Sequence, residues 1–261
     1  MKIVMIGAGN VATHLTLALQ QKEQTILQVY SRTEVSASAL AELADCAYTC
    51  NVQDINADAD LYIVSVKDSV LSDLLPQIVR INSNALFVHT AGSVPMDIWK
   101  GLTHRYGVLY PMQTFSKQRP VDFDKVSFFV EANTPEDEQL LMNLAHLLSN
   151  HVYPATSEQR RYLHIAAVFA CNFANHMYAI SSYLLTEHQL PFKAMFPLID
   201  ETAQKIHQLS PVDAQTGPAQ RGDCNIMNSH LQLLEAYPEL QQIYKSLSKN
   251  IQQYNLLKDH D

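Results

Sequence analysis

The stretch that decides the fold is Lys2-Ile3-Val4-Met5-Ile6-Gly7-Ala8-Gly9-Asn10-Val11-Ala12. An apolar run of strand type leads into a glycine turn, and an amphipathic helix pattern follows. The spacing G-x-G-x-x-A lets the backbone approach a pyrophosphate at the positive end of the next helix. Only seven glycines occur in the chain, and two stand here. We interpret the stretch as the phosphate loop of a dinucleotide-binding βαβ unit, rather than an ordinary βα turn, with cofactor-binding residues Gly7, Gly9, Asn10 and Val11.

Strand and helix patterns alternate through the first part of the chain, and only helical patterns follow about residue 155. Such alternation predicts right-handed βαβ crossovers and a mainly parallel sheet. We therefore expect an α/β fold, a Rossmann-type domain over 1–154 followed by an all-α domain over 155–261. The predicted strands are 2–6, 26–31, 61–66, 85–89, 106–110 and 126–131, and the predicted helices are 10–21, 34–45, 69–79, 135–149, 157–187, 191–208, 224–234 and 237–256.

The end of the second strand indicates which dinucleotide binds. A site for NAD usually has an acidic residue here, for the ribose 2′-hydroxyl, whereas an arginine suits the 2′-phosphate of NADP. The chain reads Ser31-Arg32-Thr33 at this point. Arg32 can make charge-assisted hydrogen bonds to a phosphate, and the two hydroxyls can add donors. The pattern favours NADP(H), the alternative being a solvated arginine at a strand end.

Polar residues also cluster where later strands end. In open parallel sheets the ligand lies beyond the carboxyl ends of the strands. We expect Val66 and Lys67 to pass beneath the cofactor, Thr90 and Gly92 to approach it, and Gln113 to lie in a loop that closes over the reacting centre. Each has a simpler explanation as well, since Lys67 with its neighbour Asp68 also suits a helix start. Their shared position at strand ends is the argument for a site.

Composition excludes several classes of protein. With 47% apolar and 17% charged residues the chain is globular, and a net charge of −8 with scattered basic residues argues against nucleic-acid binding. Polar residues within 163–185 would be costly in lipid, so this stretch predicts a buried helix rather than a membrane span. The spacing of the four cysteines does not suit a metal site, and we expect reduced thiols in the cytoplasm.

Six motifs together resemble one bacterial family, which pairs a Rossmann-like NADP-binding domain with a helical domain of unknown function 2520. The resemblance spans almost the whole chain. It implies a second domain like the C-terminal part of 6-phosphogluconate dehydrogenase. The family belongs to a wider group that resembles pyrroline-5-carboxylate reductase and deazaflavin-dependent NADP reductases. Tyr110 departs from the pattern, because relatives commonly carry His there; a proton-donor role would pass to Tyr110 or another residue. The motifs are GAGNVATHL (7–15), SVKD (65–68), HTAGSVP (89–95), YPMQTFS (110–116), HIAAVFACNFANHMY (164–178) and TGPAQRGD (216–223).

The resemblance implies that catalytic residues lie on the long helix of the second domain and in the late glycine segment. Related dehydrogenases use Lys and Asn on that helix, and this chain offers His164 as an acid and Asn175 to orient a substrate oxygen. At 100° per residue the two share a stripe. Arg221 can clamp a substrate carboxylate, with Asp223 orienting it. The alternatives are polar residues bonded between helices, and an Arg–Asp pair that ties a loop to a neighbouring subunit.

The leading hypothesis is an NADPH-dependent reductase acting on the C=O or C=N bond of a small carboxylic acid. The family suggests ketopantoate as the first substrate and a cyclic imine acid as the second. A sensor that binds NADP(H) without reducing anything is the alternative, and hydride exchange with a deazaflavin is a third reading from fold analogy alone. The apolar helix 163–185 further predicts a homodimer built by the helical domain, with the active site in the interdomain cleft.

Overall fold

The computed structural model describes residues 1–258, with side chains as far as Tyr254. The chain forms two compact units, one of residues Met1–Asn172 and one from Phe173 onward. The sequence-based boundary at 154 lies where the last strand ends, and it stays a prediction. Residues 259–261 of the predicted second domain lie outside the described residues.

The first unit contains a single eight-stranded sheet with the order β3-β2-β1-β4-β5-β6-β7-β8. Every neighbouring pair is parallel except β6 and β7, which are antiparallel. This is the Rossmann-type order with two strands added at one edge, and it confirms the predicted α/β class. The strands are β1 (Lys2–Ile6), β2 (Thr25–Tyr30), β3 (Ala47–Thr49), β4 (Leu61–Val64), β5 (Leu86–His89), β6 (Tyr106–Met112), β7 (Ser127–Ala132) and β8 (Val152–Pro154).

The apolar run of β1 explains why this strand lies at the centre of the sheet. Its residues Ile3 to Ile6 are fully buried. Ile3 and Met5 pack in the core on one face of the sheet, whereas Val4 and Ile6 pack in the core on the other. A parallel strand that is covered on both faces needs such a continuous apolar run, because successive side chains point to opposite faces.

Five helices of the first unit cover the sheet or follow it. The predicted helix start at Thr134 is present, since its hydroxyl accepts a hydrogen bond from the Asp137 amide. A capping box of Thr156 and Gln159 opens the last of the five. The helices are α1 (Asn10–Gln21), α2 (Glu34–Leu43), α3 (Asp68–Ile78), α4 (Pro135–His146) and α5 (Ser157–Ala167).

The long helical stretch predicted over 157–187 is interrupted. Residues Val168–Phe173 form a π-helical segment after α5. A π-helix takes more residues per turn than an α-helix, and such segments are frequent at functional sites. The uniform 100° step that placed His164 and Asn175 on one stripe therefore does not hold across this segment, and that part of the prediction was wrong.

The described part of the second unit is helical, as predicted. Among its residues 173–254, Ala219 is the one buried residue. The short helix α8 was not predicted, and the predicted helix 191–208 begins as a 3₁₀ turn. No helix in the described chain is both long and apolar enough to cross a membrane. The helices are α6 (Ala174–Glu187), α7 (Phe196–Lys205), α8 (Pro218–Arg221), α9 (Cys224–Leu233) and α10 (Pro238–Lys258).

Candidate functional site

The glycine turn after β1 has the geometry that a bound pyrophosphate requires. Gly7 has a φ of 120°, and its amide donates to the Tyr30 carbonyl at 2.7 Å. A Cβ at Gly7 would collide with the Ser65 carbonyl, whereas a Cβ at Gly9 would meet no atom within 4 Å. Gly7 thus lets β1 pass close to the chain after β4, and Gly9 leaves open space at the amide end of α1. Phosphate oxygens can accept hydrogen bonds from the backbone amides at the start of α1.

The end of β2 presents a polar cluster beside this turn. Thr33 donates to the Ser36 hydroxyl at 2.9 Å, and both residues line the same groove as Arg32. Arg32 is exposed, and within residues 1–258 it forms no ion pair with an acidic side chain. A cation without a carboxylate partner, next to two hydroxyls, fits a 2′-phosphate better than a ribose hydroxyl.

The ends of β4 and β5 form the other side of the groove. Thr90 donates to the Ser65 hydroxyl at 3.1 Å, and Val66 and Lys67 also line the groove. Lys67 occupies the N-cap position of α3 without a side-chain cap bond. Asp68 instead accepts a hydrogen bond from Ser93, in the loop after β5. This bond joins the loops that follow two neighbouring strands.

These elements enclose one groove of about 590 Å³, within the range of roughly 300–1,000 Å³ that is typical of ligand sites. Every residue predicted to bind the cofactor lines it, with the exception of Gly92. Several lining residues were not predicted to bind the cofactor, among them Ser36, which stands in a helix, and Ser65, the first residue of the SVKD motif. The residues missed are Ala8, Tyr30, Ser36, Ser65, Asp68, Val70, Leu74 and Ala91.

Gly92 lies at a second cluster, directly after the groove residues Thr90 and Ala91. A Cβ at Gly92 would lie 2.7 Å from Tyr110 Cζ and 2.9 Å from His164 Nδ1. The Tyr110 hydroxyl and His164 Nδ1 are 3.4 Å apart. Only a glycine here leaves room for both rings, so the residue has a packing role that the sequence analysis did not foresee.

A buried arginine fixes the position of α5 beside this cluster. Arg160 is fully buried, donates to Glu131 of β7 at 2.6 Å, and donates to the Val94 carbonyl at 2.7 Å. Ser157 also donates to Glu131, at 2.7 Å. Breaking such a buried pair by removing one partner typically costs about 3–5 kcal/mol. The network therefore ties α5, which carries His164, to the sheet and to the loop after β5.

His89 lies close to this network but has a structural role. The residue is fully buried, and its Nδ1 accepts a hydrogen bond from the Ala91 amide at 3.2 Å. Burial, and next the charge of Arg160, lower its pKa to about 3. The ring is therefore neutral at every physiological pH, so it orders the turn at Ala91 and does not serve as a general acid.

The loop after β6 attaches to the first turns of α1. Asn10 donates to the Phe115 carbonyl at 3.0 Å, and His14 Nε2 donates to the Ser116 carbonyl at 2.9 Å. Gln113 is exposed, and its amide oxygen accepts a hydrogen bond from the Thr114 amide at 2.7 Å. The catalytic role expected for Gln113 stays a prediction.

Sequence and structure comparisons show the family. Residues 2–92 match the family described as NADP oxidoreductase, coenzyme F420-dependent, and residues 126–251 match the domain of unknown function 2520. A protein of Bacteroides fragilis, assigned as an NADP oxidoreductase in its crystal structure, is 54% identical over 97% of this chain and 98% of its own, with a TM-score of 0.92. The chain belongs to this family. The resemblance inferred from the six motifs is thereby confirmed.

More distant structures share the fold of these NADP oxidoreductases. A Thermotoga maritima protein is 20% identical, with a TM-score of 0.74 over 98% of this chain and 99% of its own. An imine reductase from Myxococcus stipitatus, in complex with NADP⁺, is 16% identical, with a TM-score of 0.66 over 97% and 92% of the two chains. Among curated protein sequences none is detectably similar to this chain.

The remaining predicted catalytic residues lie in the second unit. Asn175 is exposed at the start of α6, and Arg221 is exposed at the end of α8. Gly217 and Gly222, on either side of α8, have φ values of 109° and 69°, which explains two of the scarce glycines. Asp223 caps α9, since its carboxylate accepts from the Ile226 amide at 3.2 Å. Within residues 1–258 no ion pair joins Arg221 to Asp223, and their catalytic roles stay predictions.

Proposed function

We propose that this protein uses NADPH to reduce the C=O or C=N bond of a small carboxylic acid. The observation that carries the proposal is the continuity of the two clusters in the first unit. Thr90 and Ala91 line the cofactor groove, and the next residue, Gly92, lies so near Tyr110 and His164 that a Cβ there would collide with both. A reduction of this kind needs a cofactor site and a proton donor side by side.

The residues of the groove fit the proposed cofactor at both ends. The amides after Gly7 hold the pyrophosphate, and Arg32, with the hydroxyls of Thr33 and Ser36, holds the 2′-phosphate. When bound, NADPH supplies the hydride. The hydroxyls of Ser65 and Thr90 are the polar groups at the strand ends that orient the nicotinamide side of the cofactor.

The substrate class rests on the family and on fold relatives that reduce related bonds. We take ketopantoate as the first substrate to try and a cyclic imine acid as the second, since an imine reductase and a pyrroline carboxylate reductase share the fold. His164 is the proposed acid. The roles suggested for Asn175, Arg221 and Asp223 in holding the substrate are tested by single alanine variants, which should raise KM or lower kcat without changing NADPH affinity.

The test is a panel of 2-oxo acids and cyclic imine acids, followed by the loss of NADPH absorbance. Turnover of one class, lowered by about 100-fold or more in His164→Ala with NADPH affinity retained, is the expected result. Tight NADPH binding with no turnover across the panel would contradict the proposal and favour an NADP(H) sensor instead. Turnover only with an oxidised deazaflavin would favour hydride exchange with a deazaflavin, the third hypothesis from the sequence.

We also propose a homodimer that covers the exposed apolar residues of the long helical stretch. Tyr162 is 68% exposed, Ile165 54% and Tyr183 48%, and the described second unit has almost no buried core of its own. Exposed large apolar side chains are candidates for a protein interface, and most soluble oligomers are formed by identical chains. Light scattering should give twice the mass of the chain, and a monomer that persists at all concentrations would contradict the dimer.

A further inference from the structure

We infer that Tyr110 delivers the proton to the substrate and that His164 reloads Tyr110, with the two residues acting as one relay. The inference rests on the proposed function, because it assigns the proton donor that a reduction requires. From the sequence, His164 was predicted as the acid, and Tyr110 or another residue was the alternative proton donor. The structure instead brings together two groups that are 54 residues apart in the chain.

Burial separates the roles of the two side chains. Tyr110 is 9% exposed, at the end of the sheet where Gly92 follows the groove, so its hydroxyl is shielded from bulk water. His164 is only half-buried on α5, so its ring can exchange protons with solvent. A shielded donor that is coupled to an accessible one can transfer a proton while water is kept from the reacting atoms.

The spacing of the pair suits a relay. The 3.4 Å between the Tyr110 oxygen and His164 Nδ1 is longer than a typical O–H···N hydrogen bond, and catalytic hydrogen bonds are often long until the substrate is bound. The rings meet edge to face, with centroids 6.3 Å apart. The network of Arg160 holds α5 against β7, so the pair is fixed by buried groups and not by a surface loop.

The charges around the phenol keep it protonated until it is used. Burial raises the pKa of Tyr110, the Arg160 guanidinium opposes that rise, and Cys171 adds to it. Tyr110 therefore rests as the neutral phenol, ready to donate. The charged and titratable groups that act on the phenol are Arg160 on α5 and Cys171 on the π-helical segment. Arg160 is in turn paired with Glu131 on β7 and lies near the neutral His89 on β5.

The proton balance of the step is simple. Solvent supplies a second proton to the neutral His164 ring, so that both ring nitrogens carry a proton and Nδ1–H points toward the phenol oxygen. The Tyr110 O–H bond breaks as its proton passes to the substrate oxygen or nitrogen, and the Nδ1 proton restores the phenol. One proton has then moved from solvent to product, and the electron pair comes with the hydride from NADPH, as the proposed function states.

The kinetic test compares Tyr110→Phe, His164→Asn and the double variant with wild type on whichever substrate of the panel turns over. Each single variant should lower kcat/KM by about 100-fold or more, the usual size of general-acid catalysis, with NADPH affinity unchanged. The double variant should lose little more, because either change breaks the same relay. His164→Asn should also change the pH profile of kcat/KM, because it removes the ring that exchanges protons with solvent.

Two exposed residues serve as matched controls. Tyr153 stacks on Phe129, the ring that Tyr110 also contacts, but it is half exposed, so Tyr153→Phe should retain wild-type turnover. His146 is exposed at the end of α4, and His146→Asn should also retain wild-type turnover.

A second readout needs neither cofactor nor substrate. In the free protein with a neutral His164 ring, the Tyr110 hydroxyl donates to Nδ1 of His164, so the ring proton resides on Nε2. ¹⁵N NMR should show this single tautomer in wild type and a mixture in Tyr110→Phe. An unchanged tautomer, or Tyr110→Phe with near-wild-type kcat/KM, would overturn the relay and leave the proposed reductase standing. A wild-type chain that binds NADPH and reduces no substrate overturns both.

Discussion

The glycine turn after β1 and the cluster at Gly92 are two glycine-dependent regions of one sheet edge, and they are built in opposite ways. The turn is local, since Gly7, Gly9 and the start of α1 lie within a few residues of one another. The cluster joins residues from β6, α5 and the loop after β5. Mutations should therefore separate binding from turnover, because each region owes its geometry to different parts of the chain.

The largest expected effect is at Gly7. Gly7→Ala places a Cβ into the Ser65 carbonyl at a φ of 120°, so the turn must move. We expect NADPH affinity to fall by at least about 100-fold, since a misplaced turn loses several hydrogen bonds to phosphate. Isothermal titration measures this. Gly101→Ala is the control, because Gly101 also has a positive φ but has no atom within 4 Å of its Cβ position; equal losses in both variants would show that backbone strain alone is responsible.

The next largest effect is expected at Gly92, where a substitution should reduce turnover without weakening NADPH binding. Gly92→Ala pushes Tyr110 and His164 apart, because the new Cβ would lie within 3 Å of both side chains. We expect kcat/KM to fall by about 100-fold, with NADPH affinity within about twofold of wild type. Stopped-flow kinetics and titration on the same sample separate the two. A loss of NADPH affinity as large as that of Gly7→Ala would contradict the assignment of binding to one region and turnover to the other.

Arg32 tests whether the end of β2 binds the 2′-phosphate of NADPH. Arg32→Gln removes the cation from the end of β2, and the loss of charge-assisted hydrogen bonds should weaken NADPH by about 10- to 100-fold. NADH affinity should stay unchanged, because NADH has no 2′-phosphate. Arg80→Gln is the matched control, since Arg80 is exposed and follows α3 outside the groove. Equal weakening of NADH would place Arg32 elsewhere on the cofactor.

Ser36 should give the smallest effect. Ser36→Ala removes one hydroxyl that bonds to Thr33 beside Arg32, and a single neutral hydrogen bond is worth about 0.5–1.5 kcal/mol. NADPH affinity should fall by about twofold to tenfold, with NADH unaffected. A titration of both cofactors measures the ratio, and an unchanged ratio would remove Ser36 from the 2′-phosphate site.

The two regions also differ in how far the sequence predicted them. Gly7, Gly9, Asn10 and Val11, and the three residues from Ser31 to Thr33, were predicted as cofactor-binding, and all line one groove in the structure. Ser36 was missed because a serine in the first turn of a helix is ordinary. Strands β3 and β8 were missed because three residues are too few to show an apolar alternation.

The second cluster was predicted only in parts. His164 and Gly92 were each singled out, but their contact with Tyr110 was not foreseen, and the α-helical stripe that linked His164 to Asn175 was wrong because a π-helical segment intervenes. Arg160 carried no signal at all, since an arginine in a helix pattern is normally solvated.

The sequence by itself determined the βαβ unit, the α/β class, the helical second part and the family, because these depend on periodic patterns and on glycine spacing within a few residues. Only the tertiary structure decided which polar residues meet. The positions of Tyr110, His164 and Arg160 depend on how β6 and β7 pair and on how α5 packs against them. Contacts between residues tens of positions apart arise from that packing, and no local pattern records them.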